Sequence, residues 1–228
     1  MKIAISSLPK NGWWNEGIKA YHDNDMMSDG AIPNQSLLKK EHEGLIKILN
    51  KHCLDTVSIP FDGGLEKNKK YDFVFMRDHF LCNTRKEIVM CNMKLFERMN
   101  EGKFTISPLE NLNYKISHLG EDCVAEGGEF FYLSKENILL AGQNRNNLKG
   151  AEQMAEKLNV SNLFIINSSG YHLDTSIAPL FNSEYDCIGI ICAKEVFNRN
   201  EFKNLKNICD KNHWDVIEVE HQNIQKSI

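Results

Sequence analysis

Three apolar runs in the 228-residue chain start fifty positions apart: EIVMCN (87–92), NILLAG (137–142) and CIGIIC (187–192). Each is short and bounded by turn residues, the pattern of a buried strand rather than a helix. Another strand-like segment precedes each one: DFVFMRDHF (72–80), GEFFYLS (128–134) and GYHLDTSIAPL (170–180). Amphipathic helices are expected after the second and third runs, over 147–158 and 200–212. After the first, 96–112 is poorer helix material, interrupted by Gly102 and Pro108. A further strand closes each unit: YKISHL (114–119), NLFIIN (162–167) and DVIEVE (215–220). The period is strand, strand, helix, strand in about fifty residues, and periods of that length belong to arrays and propellers.

The N-terminal part reads as a partial unit, with strand KIAISS (2–7), a helix over 35–50 and strand TVSIPF (56–61). Between them, 9–33 is a long loop rich in Gly, Asn, Asp and aromatics, and long ordered loops are often lids. No stretch reads as a linker, so a single domain over 1–228 is expected. A formal charge of −4 gives no electrostatic reason to expect nucleic acid or an anionic membrane. The longest apolar run, CIGIICA, is far too short to span a bilayer. MKIAISSLPK lacks the apolar core of a signal peptide, which points to a cytoplasmic protein. Seven cysteines without a CxxC pair read as reduced, packed thiols. No metal-ligand spacing is present and no cofactor is called for.

The unit-opening segments carry the unusual polar residues. The first holds Arg77-Asp78-His79, the second has Glu126 and Glu129 around Gly127-Gly128, and the third has His172-Leu173-Asp174. If the third is a strand, His172 and Asp174 project from one face. Taken singly, each has an ordinary reading: an Arg77–Asp78 ion pair, a glycine turn with solvated acids, a core histidine. Helix 147–158 needs an N-cap in any case, and Asn146 or Asn147 supplies one. Together they recur at matching places in the repeat, which would gather Asp78, Glu126, His172 and Asp174 into one site. Carboxylates without added lysines suit a cationic ligand. A guanidinium offers five N–H donors in a plane, which carboxylates can grip through paired, charge-assisted hydrogen bonds. A carboxylate beside a histidine orients the ring and raises its pKa, as a general acid/base requires.

The same residues resemble motifs of the pentein superfamily of guanidino-group-modifying enzymes: arginine deiminases, dimethylarginine dimethylaminohydrolases and amidinotransferases. FMRDHF (75–80) looks like the deiminase segment around a guanidinium-binding Asp. EGGE (126–129) resembles the family's EGGD, HLD (172–174) its His-x-Asp, and RNNLKGAE (145–152) the RTNxxGAE of dimethylarginine hydrolases. The resemblance covers roughly 35–220. It implies a pseudosymmetric α/β propeller of ββαβ units, here lacking its C-terminal fifth unit. It also implies roles: His172 and Glu126 catalytic, Asp78 and Asp174 holding the guanidinium, Arg145 holding the substrate carboxylate. The implied partner is a small guanidino compound, arginine or a methylarginine. The implied chemistry is attack by a cysteine thiolate on the guanidinium carbon, through a thiouronium intermediate.

The chain departs from the family in two respects, the first being ISSLPKNGWW (5–14) in place of the proline-rich opening common in the small hydrolases, and the second its cysteines. The family nucleophile lies in the last unit after a Gly-rich turn, and the last cysteine here, Cys209, falls mid-helix. Three readings follow: an arginine deiminase or dimethylargininase-type hydrolase, an amidinotransferase, or a catalytically inactive pentein that binds a guanidino ligand or a protein. An incomplete ring would leave strand edges open, which invites a homo-oligomer.

Overall fold

A computed structural model describes residues 2–14, 32–52 and 55–220. The lid expected over 9–33 lies largely outside the described residues, as do Cys53 and the tail 221–228. The chain divides into two compact units, 1–76 with 95–108 and 77–94 with 109–228. In the first unit, β1 (Lys2–Ser6) pairs in parallel with β2 (Asp55–Ile59). Helix α1 (Gln35–Lys51) connects them, starting at Asn34, whose side chain accepts from the Leu37 amide. The short helix α2 (Gly63–Lys67) follows, capped by Asp62. Trp14, Ile59, Phe61, Leu65, Tyr71 and Phe73 form the core of this unit.

The second unit contains the repeat. Its elements are β3 (Phe80–Cys82), β4 (Glu87–Met90), β5 (Lys115–His118), β6 (Phe130–Leu133), β7 (Ile138–Ala141), β8 (Asn162–Ile165), β9 (Ile177–Phe181), β10 (Cys187–Ala193) and β11 (Asp215–Val219). They form three three-stranded sheets, β3-β4-β5, β6-β7-β8 and β9-β10-β11. In each, the first strand pairs antiparallel with the second, and the second pairs in parallel with the third. A parallel pair needs a crossover, and a helix supplies it. These crossover helices are α3 (Lys103–Glu110), most of which belongs to the first unit, α4 (Leu148–Leu158) and α5 (Arg199–Asn212). The mixed α/β architecture with this repeated unit is the pentein fold.

Strand β7 shows why the middle strand of a unit reads as an unbroken apolar run. Successive side chains point to opposite faces. Ile138 and Leu140 enter a core shared with Ile177, Ile190, Cys192 and Leu205, while Leu139 and Ala141 enter one with Ala151, Met154 and Leu158. Both faces are covered, so no polar position is left.

The unit-opening segments are not strands along their length. Residues 71–74 and 76–78 are 3₁₀ turns, and only Phe80–Cys82 is extended. The same holds at Gly127–Glu129, before β6, and at Leu173–Thr175, before β9. The polar residues of each unit therefore sit on a turn that feeds the first strand. Consequently His172 and Asp174 do not share a strand face. His172 is extended at the turn's N-cap and Asp174 lies inside the turn.

Candidate active site

The glycine pair explains how three turns meet. Neither glycine needs a positive φ, since Gly12 is the one glycine with such a φ among the described residues. What each needs is room. A Cβ at Gly127 would lie 1.8 Å from the Arg77 carbonyl oxygen. One at Gly128 would lie 2.5 Å from His172 Nδ1 and 3.0 Å from Asp78 Oδ1. Any side chain here would push apart the turn carrying Asp78 and the turn carrying His172. With the pair in place, the Gly128 amide donates to Asp78 Oδ1 at 3.2 Å.

His172 Nε2 lies 2.9 Å from Glu126 Oε2, and both side chains are buried. The other carboxylate oxygen, Glu126 Oε1, accepts from the Lys94 amide at 2.8 Å. The Glu126 amide in turn donates to Asn146 Oδ1 at 2.9 Å. The acid is thus held at both ends and aimed at the imidazole. With Nε2 engaged by the Glu126 carboxylate, Nδ1 faces Gly128. Burial of the ring works against the proton, but the Glu126 hydrogen bond and the fields of Asp78, Glu126 and Asp174 outweigh it. The His172 pKa therefore stands above its usual 6.5.

Arg145 precedes α4. Its guanidinium lies 4.3 Å from the Tyr171 ring centroid, and Tyr171 in turn stands edge-on to His172 at 4.7 Å. The RNNLKGAE segment resolves into separate tasks. Asn147, not Asn146, caps α4, accepting from the Gly150 amide at 2.7 Å. Asn146 instead bridges the Glu126 amide and the Gly142 carbonyl. Gly150 is needed because a Cβ there would lie 2.1 Å from the Val124 carbonyl oxygen.

Asp174 is placed differently from the other four expected residues. It accepts from Arg77 Nε at 2.7 Å, an ion pair between two turns far apart in the sequence. Arg77 Nη2 also donates to the Phe130 carbonyl at 2.8 Å, and its guanidinium lies over the Phe131 ring. In the sequence reading Glu129 and Gly142 had no assigned role, and Asn146 was considered only as an N-cap. The spacing of EGGE marks Glu129, but nothing in the sequence says where its carboxylate points.

Burial raises the Cys187 and Cys192 thiols to about 11 and Cys209 to about 12. Among the described residues no group of three or more His, Cys, Asp or Glu side chains could hold a metal ion. No described helix is long and apolar enough to cross a membrane.

The family model of eukaryotic N,N-dimethylarginine dimethylhydrolase matches residues 16–228. The chain belongs to this family. Solved structures share the fold of this dimethylarginine dimethylhydrolase-family chain at low identity. The substrate-bound N-terminal domain of ArgZ, an arginine dihydrolase from the ornithine–ammonia cycle in cyanobacteria, superposes with TM-score 0.78 at 19% identity. That match covers 98% of this chain and 77% of the other. A dimethylarginine dimethylaminohydrolase adduct with S-methyl-L-thiocitrulline gives 0.71 at 17%, covering 97% and 77%. AgrE bound to L-arginine gives 0.77 at 17%, covering 98% of this chain and 32% of the other. Comparison with curated protein sequences finds no match.

Proposed function

We propose that this member of the family acts on the guanidino group of arginine or a methylated arginine as a hydrolase. The observation that carries the reading is the buried His172–Glu126 pair meeting Asp78 at Gly128. In this reading Asp78 takes the guanidinium, and Arg145 takes the carboxylate of the amino-acid end. Substrate-bound ArgZ, an arginine dihydrolase, AgrE bound to L-arginine and the dimethylarginine dimethylaminohydrolase adduct support that ligand class.

The chemistry follows from the charges. A guanidinium carbon is a poor electrophile because its charge is delocalised, so carboxylates must hold it in a near-attack geometry. A thiolate adds to that carbon, and the nitrogen of the leaving amine takes the proton of His172 as the C–N bond breaks. His172, now neutral, accepts a proton from the water that adds to the thiouronium carbon, and the thiolate is expelled. Burial raises the Cys187, Cys192 and Cys209 thiols, which disfavours each of the three as the attacking thiolate.

Asp174 joins the ligand only by exchanging Arg77 for it. The pair is partly exposed, 49% at Arg77 and 25% at Asp174, so it is worth roughly 0–1 kcal/mol. A planar cation gripped in paired hydrogen bonds can offset that.

The raised thiol pKa values favour one second reading, a guanidino-binding member without turnover. One experiment separates the two. Calorimetry with L-arginine and L-citrulline is set beside assays for citrulline, ammonia and alkylamine released from arginine and methylarginines. Both readings expect arginine to bind more tightly than citrulline, and Asp78→Asn to weaken arginine by about 1.5–3 kcal/mol, the worth of a charged hydrogen bond. Equal affinity for the two ligands would sink both. The hydrolase reading expects release of citrulline with ammonia or alkylamine, and the binding reading expects none. Turnover abolished by one Cys→Ser change would identify the nucleophile.

A further inference from the structure

We infer that Glu129 is a positioning residue that sets the spacing between Arg145 and His172, and so selects ligands carrying a carboxylate at one end and a guanidinium at the other. The inference rests on the proposed roles of those two residues. Glu129 is fully buried and touches neither the Glu126 carboxylate nor the imidazole by any hydrogen bond. Its two oxygens go to two different segments. Oε1 accepts from the Arg145 amide at 2.6 Å, and Oε2 accepts from the Leu173 amide, directly after His172, at 3.0 Å. Its main chain adds two more ties: its amide donates to the Glu126 carbonyl, and its carbonyl accepts from the Gly142 amide at 2.8 Å. One residue therefore joins the turn of Glu126, the loop leading to Arg145 and the turn of His172.

Only a carboxylate can do this. Two N–H donors converge from separate directions, and a glutamine offers one oxygen while its NH₂ group cannot accept. Burying the charge is costly, and burial does push the Glu129 carboxyl above its usual range, with the two amide donors pulling the other way. A fold that needed only packing here would do better with an apolar side chain of similar volume. The length of the side chain is matched to its surroundings as well. The resembling motif ends in Asp, whereas this chain has the longer Glu. Gly142 provides the room: a Cβ there would lie 1.9 Å from Glu129 Oε2. Glu129 and Gly142 thus act as a fitted pair, and a change at either one moves the same carboxylate. Tyr171 steadies the other end of Arg145, lying under its guanidinium.

The test compares L-arginine with agmatine, which keeps the guanidinium and lacks the carboxylate. Calorimetry is run on the 228-residue chain, on Glu129→Gln and on Gly142→Ala. Gly142→Ala displaces the flexible end of Glu129 and leaves the residue itself in place, so it serves if Glu129→Gln does not fold. The expected result is a wild-type preference for arginine that falls about tenfold in either variant, with agmatine affinity changed less than twofold. A variant that weakens both ligands equally, or neither, makes Glu129 a fold contact only and overturns the inference while leaving the proposed function standing. A wild-type chain that does not prefer arginine over agmatine instead removes the role proposed for Arg145, and the inference falls with it.

Discussion

At Asp174 a carboxylate expected to face a ligand already holds a guanidinium, that of Arg77, together with a backbone carbonyl and an aromatic ring. The partnership spans 97 residues, a separation at which no local pattern in the sequence could suggest it. If Arg77 competes with the ligand, Arg77→Met removes the competitor and keeps most of the apolar packing on Phe131. Arginine should then bind up to about fivefold more tightly, the equivalent of a partly exposed ion pair, with a comparably small loss of stability. Weaker binding in this variant would show that Arg77 aims Asp174 at the ligand. The glycine pair teaches a related lesson. EGGE was legible as a turn flanked by acids, but its use is close approach: other segments fill the space where side chains would stand at Gly127 and Gly128. Sequence shows that a glycine is present; only the fold shows which atoms need the room.

Elements were legible where burial imposed a period. The run at 137–142 became β7, covered on both faces, the run at 187–192 became β10 although Ile188 stays exposed, and the helix expected over 147–158 became α4. The unit-opening segments were not legible. A 3₁₀ turn buries apolar residues such as Tyr71 and Phe73 without any strand-like alternation to contradict it, so apolar content alone suggested a strand. Helix starts carry a stronger local code, and here it can be tested. Asn147 caps α4, also accepts from the Val124 amide at 3.1 Å and donates to the Asp122 carbonyl at 2.9 Å. Asn198 caps α5 within an exposed capping box formed with Glu201. Cap loss to Ala costs about 0.5–2 kcal/mol. Asn198→Ala should fall in the middle of that range, and Asn147→Ala at its top or beyond, since it also leaves two other backbone groups without their partner. Urea denaturation of both variants decides it, and equal losses would mean that the ties to 122–124 contribute nothing.

At the scale of the whole molecule, the charges buried on folding set how stability depends on pH. Glu101, fully buried beside Arg98 and Asp72, is pushed by burial to about 8 from a usual 4.5, with Arg98 pulling it down only in part. Glu129 and His172 are also raised. In all three the native state holds more protons than the unfolded chain, so stability falls as pH rises. For Glu101 the contribution is fully present below about 4.5 and is lost as pH approaches about 8. For His172 it is present below 6.5 and lost above it, as pH passes the raised value. The exposed carboxylates Glu87, Asp122, Asp186 and Glu218 are lowered, by hydrogen bonds to Asn83, Lys149, Lys135 and Lys194 in turn, and their contributions are lost only as pH falls through the acid range. The maximum should therefore lie on the acid side of neutrality. Urea midpoints are expected to be higher at pH 6 than at pH 8.5, each proton released across that range costing about 1.4 kcal/mol per pH unit. Glu101→Gln keeps the shape of the protonated acid and removes its titration, so it should flatten the difference. A wild-type chain as stable at pH 8.5 as at pH 6 would show that Glu101 and His172 ionise in the native state much as they do in the unfolded chain.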